Sequence, residues 1–103
     1  MKIFIELCHN KGHCKIFNDS EEYIIHSLAV SPKKLRQGIG TILLNKSENI
    51  IKALGENHCA LYVKNDNIWV HNWYKRCGYV DTTEKCDFGY TKMIKYFINE
   101  KNN

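Results

Sequence analysis

Leu28-Ala29-Val30-Ser31-Pro32-Lys33-Lys34-Leu35-Arg36-Gln37-Gly38-Ile39-Gly40 joins three kinds of local sequence. An apolar run ends at Val30, and Ser31-Pro32 stops it because proline cannot donate to a strand ladder. A basic loop with two glycines follows and leads into an apolar period that begins near Ile39. Strand, glycine loop, helix is an arrangement that holds phosphate on backbone amides. Glycine has no Cβ, so the backbone approaches an anion closely. The first helical turn then offers unpaired N–H groups and the positive end of its dipole. Lys33, Lys34 and Arg36 add charge of the right sign.

Outward from this stretch, the elements follow from spacing. Lys2–Cys8 is β-branched and aromatic and reads as a strand, with Asn10-Lys11-Gly12 as a turn and His13–Phe17 as the returning strand. Glu22–Val30 is a third strand whose nearly unbroken apolar end predicts a buried, central position. Ile39, Ile42, Leu43, Lys46, Ile50 and Leu54 recur at three- and four-residue spacing, one face of a helix of about four turns, with Gly55 at its C-terminus. His58–Val63 is a short strand. Asn67 is placed to cap a second helix through Arg76, which Gly78 ends. Tyr79-Val80 and Phe88–Phe97 read as strands, and the polar tail INEKNN as a fraying end. The order β-β-β-α-β-α-β-β predicts an α+β (mixed α/β) fold. Three antiparallel strands feed a helix that crosses to a parallel neighbour, giving a mixed sheet with helices packed on it.

The 103 residues allow one domain, residues 1–103, with one core. Apolar and charged fractions of 44% and 25% are ordinary for a globular chain. No run is long enough for a membrane span, and the N-terminal stretch lacks the h-region and cleavage site of a signal peptide. Cys8, Cys14, Cys59, Cys77 and Cys86, odd in number and irregularly spaced, point to a reducing cytoplasm rather than a disulfide framework. Cys8, His9, His13 and Cys14 invite a zinc reading. Neighbours in a hairpin point to opposite faces, however, so the four do not converge, and no metal is expected. The net charge of +4 suits an anionic ligand, and its dispersal argues against nucleic acid as a partner.

Two segments together resemble the GNAT superfamily of acetyl-CoA-dependent N-acetyltransferases. Leu28-Ala29-Val30, Arg36-Gln37-Gly38-Ile39-Gly40 and Leu43-Leu44 are similar to its pyrophosphate-binding motif, an (Arg/Gln)-x-x-Gly-x-(Gly/Ala) loop between strand and helix. Asn67, Val70 and Tyr74-Lys75-Arg76-Cys77-Gly78-Tyr79 are similar to its Asn-x-x-Ala-x-x-x-Tyr-x-x-x-Gly-Phe signature. The likeness covers residues 22–80. Leu35 stands where Arg or Gln is usual, Val70 where Ala is usual, and Tyr79 where Phe is usual. Family members usually begin with a strand and two helices that build one wall of the acceptor site. This chain resembles a minimal member that starts on the second strand, so that wall is expected to be missing or to come from a partner subunit, as in a homodimer.

The resemblance implies acetyl-CoA as acyl donor and a primary amine, on a small molecule or a protein, as acceptor. It assigns coenzyme A to Leu28, Ala29 and Val30, to the amides of Arg36, Gln37, Gly38, Ile39, Gly40 and Thr41, and to Asn67 and Tyr74. Acyl transfer needs a base for the amine and an acid for the leaving thiolate. Tyr74, whose phenol is a donor at neutral pH, is the candidate acid. Many members place a carboxylate where this chain has Ile24. His26 shares that strand face and is the candidate base, alone or through water, with Glu22 as the alternative. Cys59 and Cys77 are nucleophilic types, but Cys77 replaces an apolar residue and reads as filler. Trp69 and Trp73, with Ile68 and Val70 beside them, cannot all face the sheet; one ring packs and one is left for solvent or a partner. A non-catalytic acyl-CoA-binding module that keeps the cofactor cleft is the competing reading.

Overall fold

The computed structural model describes residues 4–9, 12–19, 22–30, 38–86 and 89–97. Strands β1 (Phe4–His9), β2 (Gly12–Asp19) and β3 (Glu22–Val30) precede helix α1 (Ile39–Ala53). Strand β4 (His58–Lys64), helix α2 (Ile68–Arg76) and strands β5 (Val80–Cys86) and β6 (Tyr90–Tyr96) complete the order. They form one six-stranded sheet in the order β1-β2-β3-β4-β6-β5. Every pairing is antiparallel except β3 with β4, so the predicted parallel crossover through α1 is present.

Both helices pack on the same face of the sheet. Leu44 and Ile51 of α1 and Tyr74 of α2 share one core with Ile16, Tyr23, Ile25, Cys59, Leu61, Val63 and Met93. Alternation puts Glu22, Ile24, His26, Ala60, Tyr62, Lys92 and Ile94 on the other face, which carries no helix among the described residues. Residues 98–103, the whole of the expected fraying tail, lie outside the described set.

Three details depart from the periodic reading. The buried face of α1 consists of Ile39, Leu43, Leu44, Ser47, Glu48 and Ile51, while Ile42, Lys46 and Leu54 are exposed. The face is therefore rotated toward Leu44 and Ile51, and it carries two polar residues that the apolar period had no reason to include. Strand β5 extends to Cys86 rather than ending at Val80. Its polar Asp-Thr-Thr-Glu-Lys sequence lies on a sheet edge, with an irregular register between Asp81 and Lys85, a device that blunts an edge strand. Strand β6 begins at Tyr90, after the turn at Gly89 with φ 77°, and Phe88, its expected start, lies outside the described residues.

The cysteines divide by burial. Cys14 and Cys59 are buried, Cys77 is half-buried and packs against the core, and Cys8 is exposed; all four are free thiols. Cys8 pairs across the hairpin with His13, but Cys14 turns the other way and bonds Ser47 at 3.1 Å. Among the described residues no three His, Cys, Asp or Glu side chains gather in a group able to hold a metal ion. No helix is long and apolar enough to cross a membrane.

Candidate active site

Strands β3 and β4 run parallel, yet among the described residues they are in register only at Ile24 and Ala60. Beyond that point β3 continues to Val30 and β4 to Lys64 without pairing to each other. The cause is visible on the other edge of β3. His13 of β2 faces Ala29, and Lys15 faces His26, so β3 advances three residues while β2 advances two. One extra residue in Ser27-Leu28 makes a bulge, which bends the strand and raises its local twist. The bulge thus lies where β3 leaves β4. The result is an opening in the sheet whose β3 edge is the backbone of residues 27–30.

Two helices begin at the same end of the sheet. Helix α1 follows β3 and α2 follows β4, so both N-terminal dipoles point to the end where the strands part. In open sheets this position, outside the carboxyl ends of parallel strands, is where ligands bind. The two N-termini differ. Gly38 caps α1 in the left-handed region, with φ 75° and ψ 8°, and provides no side-chain hydrogen bond. No acidic residue lies in the first turn. A Cβ on Gly38 would meet nothing within 4 Å, so glycine is required here by the backbone angle and not by crowding. Among the described residues the first-turn amides of Ile39, Gly40 and Thr41 have no acceptor, an arrangement that suits a phosphate group. At α2 the Asn67 side chain accepts from Val70 N at 3.4 Å. Its amide N–H₂ stays available on an exposed residue.

Tyr74 is 8% exposed and packs its ring against Trp73 at 4.9 Å and Tyr79 at 5.6 Å. Burial pushes its phenol up to about 12, with smaller contributions from Cys77 and Cys14. The phenol therefore holds its proton throughout the neutral range. His26 is exposed and lies on the opposite face, its ring edge-on to Phe17 at 5.7 Å. It is two residues past the last β3–β4 register pair, at the margin of the opening. No described contact joins His26 to Tyr74. They flank the opening from opposite sides of the sheet.

Glu22 is engaged elsewhere. One carboxylate oxygen takes His58 Nε2 at 3.2 Å, and the other takes the Lys92 ammonium. Cys59 is also occupied: its thiol bonds the Tyr79 hydroxyl at 3.2 Å, and burial pushes it up to about 12. Burial also raises the Cys77 thiol. At Cys59 and Cys77 desolvation outweighs the pull of the nearby Lys95 ammonium, so neither is the activated thiolate of a nucleophilic cysteine. Trp73 packs against the core, while Ile68 and Trp69 are 68% and 72% exposed. Arg36 and Gln37 lie outside the described residues, as do the side chains of Leu28, Ala29 and Val30.

Sequence reasoning missed Glu48, which is buried on α1 and bonded by both Tyr79 and Lys95. Leu44, Ser47, Glu48 and Ile51 follow helical spacing, but nothing in the type of the middle pair marks it as buried.

A sheet opened between parallel strands, with two helix N-termini at the opening, is the architecture of a protein that takes an extended anionic ligand into its sheet. The Acetyltransferase (GNAT) family matches residues 7–79, and the chain belongs to that family. Among solved structures it is similar to the PaiA N-acetyltransferase of Thermoplasma acidophilum in complex with coenzyme A. That match has 23% identity and a TM-score of 0.77, and it covers 93% of this chain and 61% of the other. The ribosomal-protein-S18-alanine N-acetyltransferase of Escherichia coli matches with 19% identity and a TM-score of 0.74, over 99% of this chain and 74% of that one. An acetyltransferase of Streptococcus agalactiae matches with 14% identity and a TM-score of 0.73, over 84% and 59%. These identities establish a shared fold. The chain spans 61% of the first of these relatives, less than two thirds of its length. No curated protein sequence matches the chain.

Proposed function

We propose that residues 1–103 act as one acetyl-CoA-binding domain that transfers an acetyl group directly to a primary amine. The observation that carries this reading is the opening between β3 and β4, with the uncapped N-terminus of α1 at the same end. The free backbone edge of residues 28–30 pairs with the pantetheine arm. The amides of Gly38 to Thr41, with Arg36 and Gln37, hold the pyrophosphate, and the Asn67 amide fixes the arm from the α2 side. The coenzyme A bound to the Thermoplasma relative supports acetyl-CoA as donor.

His26 takes a proton from the amine, directly or through water, so that nitrogen attacks the acetyl carbonyl. The new C–N bond forms as the C–S bond breaks, and Tyr74 gives its proton to the departing thiolate. Burial keeps the phenol protonated at neutral pH, so a proton is in place when the thiolate departs. Glu22 is the weaker candidate base, since its carboxylate is already paired with His58 and Lys92. The reaction belongs in the cytoplasm, where the thiols stay reduced. The exposed Ile68 and Trp69 support self-association as a homodimer, which sedimentation measures directly.

The test has two stages. Acetyl-CoA raises the melting temperature if the cleft binds it. Thiol release is then followed with alkyl and aryl primary amines and with an alanine-terminated peptide, chosen because the E. coli relative is a ribosomal-protein-S18-alanine N-acetyltransferase. Tyr74→Phe should lower kcat by about a hundredfold, with acetyl-CoA affinity nearly unchanged. His26→Ala should remove the acidic limb of the pH–rate profile, and an unaltered profile refutes it as base. Tight binding without release for any amine favours a non-catalytic acyl-CoA-binding module.

A further inference from the structure

Tyr79 is the part of the Asn67…Tyr74…Gly78-Tyr79 segment whose polar group the proposed reaction leaves unused. Its ring is 1% exposed and meets the Tyr74 ring edge-on at 5.6 Å. Its N–H donates to the Tyr74 carbonyl at 3.0 Å. At its far end the hydroxyl donates to Glu48 Oε2 at 2.8 Å and accepts from the Cys59 thiol at 3.2 Å. Glu48 is 4% exposed, and its other oxygen takes the Lys95 ammonium at 2.9 Å. That ammonium also lies 5.8 Å from the centre of the Tyr79 ring. The Lys95 side chain passes so near Gly78 that a Cβ there would stand 3.2 Å from Cε.

A carboxylate placed in a core is costly unless it is paired and hydrogen-bonded on both oxygens. Phenylalanine, the usual residue at this point of the family signature, fills the same ring volume and asks for no carboxylate. The hydroxyl therefore matters here for what it reaches. It joins α1, whose first turn faces the anion in the proposed site, to the α2–β5 junction, where the Tyr79 ring packs on Tyr74 of α2. The bonds run in one direction, from the Cys59 thiol through Tyr79 to Glu48, and such chains polarise one another.

We propose that the Glu48–Tyr79 hydrogen bond positions Tyr74, holding its ring at a set distance from the N-terminal turn of α1. Glu48 and Tyr79 are positioning residues that touch neither acetyl-CoA nor amine. The inference rests on Tyr74 being the acid of the reaction proposed above.

Tyr79→Phe keeps the ring and deletes the hydroxyl, and Glu48→Gln keeps an acceptor while removing the charge. Two readouts apply: steady-state kinetics with acetyl-CoA and the best amine of the panel, and the ¹³C NMR signal of the Tyr74 ring in tyrosine-labelled protein. Tyr79→Phe should lower kcat by about tenfold, equivalent to ~1.4 kcal/mol on the barrier, with KM for acetyl-CoA changed by less than about twofold. It should also shift or broaden the Tyr74 signal. Adding Glu48→Gln to Tyr79→Phe should lower kcat little further, because the hydroxyl that links Glu48 to Tyr79 is already gone. A purely structural role would lower the melting temperature but leave the Tyr74 signal and the kcat of the folded protein alone. A folded Tyr79→Phe protein with kcat within about twofold of the parent and an unmoved Tyr74 signal overturns the proposal. If the parent releases no thiol with any amine, the acyl-transfer reading falls. The Tyr74 signal in Tyr79→Phe and Glu48→Gln then decides the coupling without it.

Discussion

Gly38 serves the backbone by its angle and, in the proposed site, the ligand by its turn. Its φ of 75° belongs to the region that side chains avoid, and it offers the helix no capping oxygen. Gly55 has a comparable φ of 93° with nothing nearby, but it follows the C-terminus of α1 and faces no anion. Alanine at either position should cost about 1–2 kcal/mol of stability from backbone strain, read as a lower urea midpoint. Only Gly38→Ala should also weaken acetyl-CoA binding, because in the proposed site that turn, and not the one at Gly55, presents amides to the pyrophosphate. Equal loss of affinity in both variants would mean that general destabilisation, not the turn, is responsible. At this scale part of the sequence was legible: the glycine before α1 marked a turn with a positive φ, and Asn67 sits where a cap is needed. Glu48 was not legible, since a glutamate on a helix is usually solvated, and only the fold brings Tyr79 and Lys95 to it.

Among the elements, α1 and β3 hold the instructive departures. Most of the buried face of α1 follows helical spacing, but Ser47 and Glu48 are inside because each finds partners there. Ser47 donates to Leu43 O at 2.8 Å and receives the Cys14 thiol at 3.1 Å. Glu48 has its phenol and its ammonium. Lys95→Met leaves the Glu48 carboxylate with the phenol and the thiol chain behind it. Because Lys95 is itself partly open to water, this should cost about 1–3 kcal/mol. Combining it with Glu48→Leu should recover much of that loss, as replacing a whole buried pair by apolar groups often does. Chemical denaturation of the two single variants and the double variant measures the difference. A double variant less stable than either single one would show that the pair contributes net stability. In β3 the apolar run announced a central strand with correct ends, but nothing in it announced the bulge at Ser27-Leu28. A bulge is a mismatch of register between two strands, so it exists only once both strands are paired.

For the molecule as a whole, burial of acidic groups sets a limit at high pH. Cys59 and Tyr74 are each pushed up to about 12, from ordinary values of 9 and 10, and Tyr79 is raised further. Folding therefore favours their protonated forms. Their contribution is whole below pH 9, where the unfolded chain is also protonated, and it is lost as pH rises toward 12. The melting temperature should fall steeply from pH 9 to 12, and Tyr79→Phe should flatten the upper part of that fall. A slope unchanged in Tyr79→Phe would remove its phenol from the account.

The sequence by itself determined the element order, the parallel crossover and the family, because these rest on local periodicity, turn chemistry and two spaced motifs. Tertiary structure alone decided three things. It parted β3 from β4 after Ile24 and Ala60, it set His26 and Tyr74 on opposite faces of the sheet, and it buried Glu48 beneath Tyr79. Each depends on which strand lies beside which, and on how far a side chain reaches across that packing. Neither quantity is written in the spacing of residues along one chain.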